Sequence, residues 1–297
     1  MQPFGYAAPT SVGSAVELLA EAEGRARPLA GGTDLLVQLR REALDLDLVV
    51  DVKRIPALKA VRYDPDGGLT VGAAVTCAEL GGHSEVRRRY PGLWDAASII
   101  GGAAIQNRAT LGGNLCNAAP SGDAIPAMIV LGAVGEVVGP KGGRTIPVVD
   151  FCTAPGETVL APDELLVSLR VPPPEPHTGG SYLRFIPRGE MDIAVVGVGA
   201  WVQLNASSDE IVDARIALAA VAPIPLPVVG LSEVLIGRAP DEQAVDAAAV
   251  QAQACASPID DMRGTAAQRR HLVGVLARRA LWHAIHRAAG TSESEEA

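Results

Sequence analysis

Apolar positions along the chain follow two rhythms, and the change from one to the other divides it. In "SAVELLAEA" and "DLLVQLRRE" they recur at helical spacing. The first segment has Ser11 or Ser14 as its cap, and the second carries Leu35, Leu36 and Leu39 on one face. "ARPLAG" between them and "LDLVVDVKRI" after them have the short, alternating or continuously apolar character of strands. Together these segments predict a small β-α-β unit over residues 1–55.

A second region, 56–176, mixes both rhythms. "GGLTVGAAV", "VGEVVGP" and "ELLVSLRVP" read as strands, whereas "TCAEL", "GLWDAASII" and "DAIPAMIVLGA" read as helices. Thr76 and Glu79 have the spacing of a capping box, and "PKGG" marks a turn. The tract "PPPEPHTGG" is the clearest linker in the chain. Beyond it, over 177–290, "SYLRFIPR", "DIAVVGVGAWVQLN" and "ARIALAAVAP" predict a three-stranded antiparallel sheet. Two helices follow, "DEQAVDAAAVQAQACA" and a long amphipathic one from Thr265 to Ala288, and 291–297 form an acidic, frayed tail.

Composition narrows the function. Apolar residues at 48% and charged residues at 20% describe a globular chain, not a disordered one. A net charge of -9 argues against nucleic acid and against docking on anionic lipid. No secretory leader is visible, and no uncharged apolar run reaches the roughly 20 residues that a spanning helix needs. Cys77, Cys116, Cys152 and Cys255 are scattered without a Cys-x-x-Cys pair, which fits reduced thiols in a cytoplasm and provides no iron–sulfur or zinc framework. Cys116 reads as a packed thiol. His283 and His286 lack a third ligand, and Arg87 to Arg89 read as a solvated helix face.

Two glycine-rich stretches carry the candidate chemistry. "LAGGTDLLVQLR" gives up two side chains where a strand becomes a helix. "NRATLGGNLCNAAPSGDAIP" repeats Gly-Gly after an apolar step and interleaves Asn114, Asn117, Ser121 and Asp123 with small residues. Exposed N–H groups in such loops can wrap a diphosphate, and threonine and asparagine add neutral donors. Asp123 would repel phosphate but can accept from sugar-like hydroxyls. Neither stretch is a Walker A or a G-x-G-x-x-G motif, so each alone is equally readable as a tight turn in an α/β domain.

In the order "LAGGTDLL", "TLGGNLCNAAPSGD" and "SYLRFIPRGEMDIAVVGVG", nearly the whole chain resembles the FAD-binding medium subunit of the molybdenum hydroxylases. That group includes carbon monoxide, nicotine and caffeine dehydrogenases and the flavin domain of xanthine dehydrogenase. The resemblance implies an α+β fold: a two-subdomain FAD-binding domain of the vanillyl-alcohol-oxidase type, then an α+β domain with a three-stranded sheet. It implies that Leu29, Ala30, Gly31, Gly32, Thr33, Asp34 and Leu35 hold the FAD pyrophosphate, as a helix start favours an anion. The Asp34 carboxylate is expected to turn away and bond backbone N–H groups.

The resemblance further implies dinucleotide contacts from Thr110, Gly113, Asn114 and Asn117, and hydroxyl contacts from Asp123. Gly101 and Ile105 would line the pocket, and Leu165 and Leu166 would pack near a ring of the cofactor. Arg184 would stand near the flavin, where a fixed positive charge favours the reduced anionic form; a solvated strand arginine is the equal alternative. FAD would be non-covalent, with the [2Fe-2S] clusters on a small partner subunit and the molybdenum cofactor on a large one, in a dimer of heterotrimers. The chain would accept electrons from the clusters and pass them through FAD to an external acceptor. Two alternatives stay open: a self-contained flavoenzyme such as a UDP-sugar enolpyruvate reductase, and an assembly subunit that has lost FAD.

Overall fold

The computed structural model describes residues 3–189 and 191–291. The acidic tail from Ser292 onward lies outside the described residues. Among them are three principal sheets. The first is parallel, with Leu48–Asp51 in the centre and Gly5–Ala7 and Ala26–Leu29 on its flanks. The helix Val12–Glu21 is capped by Ser11, whose side chain accepts from the Ser14 N–H, and it buries Ala15, Val16 and Leu19. The strand Gly5–Ala7 completes the sheet; it is too short to show an alternation in sequence.

The second sheet is antiparallel, in the order Val61–Asp64, Gly68–Gly72, Leu165–Val171, Val134–Gly139, Gly142–Pro147. Helices Pro91–Ser98, Leu111–Asn117 and Ala124–Val130 pack in the same core, around Leu93, Leu115, Ile125 and Met128. The expected capping box is present: Thr76 accepts from the Glu79 N–H, and Glu79 accepts from the Thr76 N–H. An arrangement of this kind is worth about 1 kcal/mol.

The third sheet has four antiparallel strands, not three: Thr178–Phe185, Val196–Leu204, Ile211–Ala219 and Leu226–Pro227. The extra strand pairs only Leu226 with Leu218 and Pro227 with Ala217. It escapes a pattern search because it is two residues long and carries an edge proline. The first strand begins at Thr178, inside the tract read as linker.

Two-residue periodicity explains the position of this sheet. Val196, Val198, Ala200, Val202 and Leu204 face a core shared with helices Glu242–Cys255 and Ala266–Ala288. Trp201 packs in the opposite direction, with Val130. A Cβ on Gly199 would lie 2.8 Å from the Pro126 backbone, and one on Gly179 would overlap Ala284 O. The sheet is thus gripped by its own long helix on one side and by helices of the second region on the other. No helix among the described residues is long and apolar enough to cross a membrane.

Candidate functional site

The first glycine turn connects the strand Ala26–Leu29 to the helix Leu35–Arg40. Gly32 sits at φ +77, which favours glycine, and Leu36 N–H donates to its carbonyl at 3.1 Å. Gly31 is a matter of space: a Cβ there would overlap Arg108 O. Thus the body that approaches this backbone most closely is the second glycine-rich stretch.

Asp34 corrects an expectation. Its side chain makes no cap bond, and its closest partner is the Thr33 hydroxyl, at 3.5 Å from Oδ2. The residue already has helical φ and ψ, whereas a capping side chain folds back onto the helix from an extended one. Desolvation by the cleft walls raises its pKa above the ordinary value, partly offset by Thr33, although the residue as a whole is exposed.

The second turn is supported differently. Thr110 is buried and extended, and its Oγ1 accepts from the Gly113 N–H at 2.9 Å, capping the helix Leu111–Asn117. Ala109 O accepts from the Cys77 N–H at 2.8 Å. Asn114 Oδ1 accepts from the Ala124 N–H at 3.2 Å and ties this helix to the next. The side-chain oxygens of Thr110 and Asn114 are therefore engaged within the protein, which leaves the Asn114 NH₂ as a donor.

The turns meet in one cleft of about 530 Å³. Ala30, Gly31, Gly32, Thr33, Asp34 and Leu35 line it on one side, and Thr110, Gly113, Asn114 and Asn117 on the other. Leu165 and Leu166, both 3% exposed, belong to its wall as well as to the core. The other expected residues are not in its lining. Leu29 supports Gly32 from below, and Gly101 and Ile105 form a turn beside Ile100, which does line the cleft.

Asp123 and Arg184 form a buried ion pair at 2.6 Å, and the Tyr182 hydroxyl donates to Asp123 at 2.8 Å. Burial raises the Asp123 pKa, with Arg184 and Tyr182 opposing the rise. Arg184 is therefore neither a solvated strand residue nor an uncompensated positive charge. The pair joins the second region to the third sheet.

Sequence reading does not anticipate Arg27, Gln38, Ile100 and Glu164 in the lining. Gln38 lies one helical turn beyond Asp34, a spacing that could have flagged it. Cys116 also departs from expectation: it is exposed and lines the cleft. Glu164 brings little net charge, since Arg144 holds it through two bonds of 2.7 and 2.8 Å and keeps its pKa low. Carboxamides, a threonine hydroxyl and helix-start amides over walls of Leu58, Leu165 and Leu166 suit a long ligand with apolar ends and an anionic middle.

Residues 2–174 match the family described as the FAD binding domain in molybdopterin dehydrogenase, and residues 181–284 match the CO dehydrogenase flavoprotein C-terminal domain. The chain belongs to this FAD-binding molybdopterin dehydrogenase family. Among its relatives, the xanthine dehydrogenase FAD-binding subunit of Escherichia coli O157:H7 is 31% identical, over 96% of this chain and 97% of that one. The carbon monoxide dehydrogenase medium chain of Hydrogenophaga pseudoflava is 34% identical, over 94% and 96%. A solved carbon monoxide dehydrogenase from the same organism superimposes with a TM-score of 0.91 at 32% identity, covering 97% of this chain and 99% of that one. Quinoline 2-oxidoreductase from Pseudomonas putida 86 gives 0.89 at 28%, covering 97% and 98%. The match of the third region to the family's C-terminal domain weighs against a self-contained reductase.

Proposed function

We propose that this chain is the FAD-carrying medium subunit of a molybdenum hydroxylase complex. It accepts electrons from the [2Fe-2S] clusters of a small subunit and delivers them through FAD to an external acceptor. The large subunit carries the molybdenum cofactor and acts on the substrate, and the complex doubles to a dimer of heterotrimers. The observation that carries this reading is the meeting of two glycine turns, distant in sequence, on one cleft of about 530 Å³ in a chain that matches its relatives end to end.

Bound FAD supplies reversible electron uptake and release. The protein supplies the hold. Helix-start amides at Gly32 to Leu35, with the carboxamides of Asn114 and Asn117, would hold the diphosphate. Leu165, Leu166 and Ile100 provide apolar contact for the rings, and the Gly101–Ile105 turn braces that wall. Asp123 and Arg184 hold the second turn against the third sheet. In this division of labour 1–55 and 56–176 bind the cofactor and 177–290 buttress them. The cytoplasm is the proposed compartment, in keeping with four free cysteines.

The test is the visible spectrum of purified full-length chain after loading with FAD and removal of excess. Flavin bands near ~370 and ~450 nm are expected. Thr33→Glu and Asn117→Asp, which place a negative charge in the cleft without straining the backbone, should lose them while circular dichroism stays unchanged. Folded wild-type chain that takes up no FAD, alone or co-expressed with its partners, would sink the reading. Flavin retained in both variants would move the diphosphate elsewhere.

A further inference from the structure

One side-chain bond spans the cleft between the two turns. Gln38 Nε2 donates to Asn117 Oδ1 at 3.2 Å, across 79 positions of sequence. Both residues line the cleft, and the bond between them is partly buried. Gln38 projects from the helix that follows the first turn, and Asn117 ends the helix Leu111–Asn117 that carries the second glycine pair.

The Asn117 end is held firmly. Ala118, the next residue, is fully buried at φ +46, a left-handed conformation that alanine adopts only at a cost. Its N–H donates to Leu115 O at 3.1 Å and its carbonyl accepts from the Gly156 N–H at 3.0 Å. The helix therefore stops at a defined place, with Asn117 at its edge. The turns already touch where Gly31 meets Arg108. The Gln38–Asn117 bond is a second tie between the two segments, 79 positions apart in sequence.

We propose that Gln38 and Asn117 are a positioning pair that presets the spacing of the two turns, so that the cleft meets its ligand in a binding-ready form. The proposal rests on the FAD reading above. The bond uses one N–H of Gln38 and one lone pair of Asn117, and leaves the remaining N–H groups of both carboxamides for an anion between them. Without the tie, the turns occupy the ready spacing for a smaller fraction of the time. Such a loss falls on the association rate, because only the ready fraction captures ligand.

Stopped-flow binding of FAD to the FAD-free full-length chain tests this with wild type, Gln38→Ala, Asn117→Ala and the double variant. Each single change should slow association about five- to ten-fold, the equivalent of one neutral hydrogen bond, whatever it does to dissociation, since both carboxamides also offer N–H groups to the ligand. The double variant should be no slower than the slower single, because both changes remove the same tie. Three results would overturn the pair: association unchanged in Gln38→Ala, effects that multiply in the double variant, or faster dissociation with association intact. A Gln38→Ala protein that melts lower yet associates normally falls in the first class and makes the bond merely structural. Wild type that binds no FAD, alone or co-expressed with its partners, would remove the function reading itself, whereas wild type that binds with unaffected variants removes only the pair.

Discussion

The turn at Gly31–Leu35 sets Gly-Gly before a short helix and the segment Thr110–Asn117 sets Gly-Gly in the first turn of one, and the two are held by different means. In the second, Thr110 caps the helix, Asn114 holds the start of the next one, and Asp123 is clamped by Arg184 and Tyr182 from the third sheet. In the first, Asp34 occupies the cap position without capping, and the turn leans on Arg108 and Gln38 for its place. The second turn is a scaffold, and the first is a strap laid against it. Alike as strings, they differ in how much of their geometry is built from their own side chains.

The strongest way to break this contrast is to release the clamp on the scaffold. Asp123→Ala leaves the Arg184 guanidinium buried without its counter-charge. The change should cost about 3–5 kcal/mol in urea unfolding. Asp123→Ala with Arg184→Met should recover part of that loss, since no unpaired charge stays buried although the Tyr182 hydroxyl still lacks its acceptor. A loss under about 1 kcal/mol in the single variant would mean that the third sheet does not anchor this turn.

The next effect strikes where strap meets scaffold. A Gly31→Ala side chain meets backbone, overlapping Arg108 O and lying 2.8 Å from Arg108 C, so no rotamer change can relieve it. Overpacking of this kind costs about 1–3 kcal/mol and should part the turns, abolishing flavin retention while the C-terminal core stays folded. The same change at Gly81, where a Cβ meets nothing within 4 Å, is the control and should leave flavin bound.

Smaller still is the removal of the scaffold's cap. Thr110→Ala should cost about 1 kcal/mol in thermal unfolding, with Thr110→Ser restoring it. An alanine variant as stable as wild type would place the support of the helix Leu111–Asn117 in the fit of Gly112 on Ala73 and the burial of Leu115 instead.

The scaffold is easier to read from sequence than its attachments. Ser11, the Thr76–Glu79 box and the two C-terminal helices carry local signals that tertiary context leaves intact, and the long strands announce themselves by alternation. Glycine pairs mark both turns, but for a reason only space reveals: Gly31 makes room for Arg108, and a Cβ at Gly112 would meet Ala73 at 2.6 Å. Pairings such as Asp123 with Arg184 and Gln38 with Asn117 join residues far apart along the chain. No spacing rule encodes them. Strands of two or three residues, such as Leu226–Pro227 and Gly5–Ala7, lie below the length at which periodicity exists. Asp34 misleads because its residue type is a strong cap signal, while its backbone is already helical.

Asp34 also offers the finest test of the strap. Desolvation raises its pKa above 3.8, so the folded state binds its proton more tightly than the unfolded chain does. Stability from this group is therefore greatest below the unfolded value and declines as pH rises through the window above 3.8, leaving the full penalty at neutral pH. Asp34→Asn removes the charge without removing a cap bond, since none exists. The variant should melt slightly higher than wild type at pH 7, by well under about 1 kcal/mol, with the gap closing towards pH 4. FAD should bind it more tightly at neutral pH, because a negative charge no longer lines the path of the diphosphate. If instead the Asp34→Asn change lowered the melting temperature at pH 7, Asp34 would be supporting the turn in its charged form, and the strap would have a side-chain anchor of its own after all.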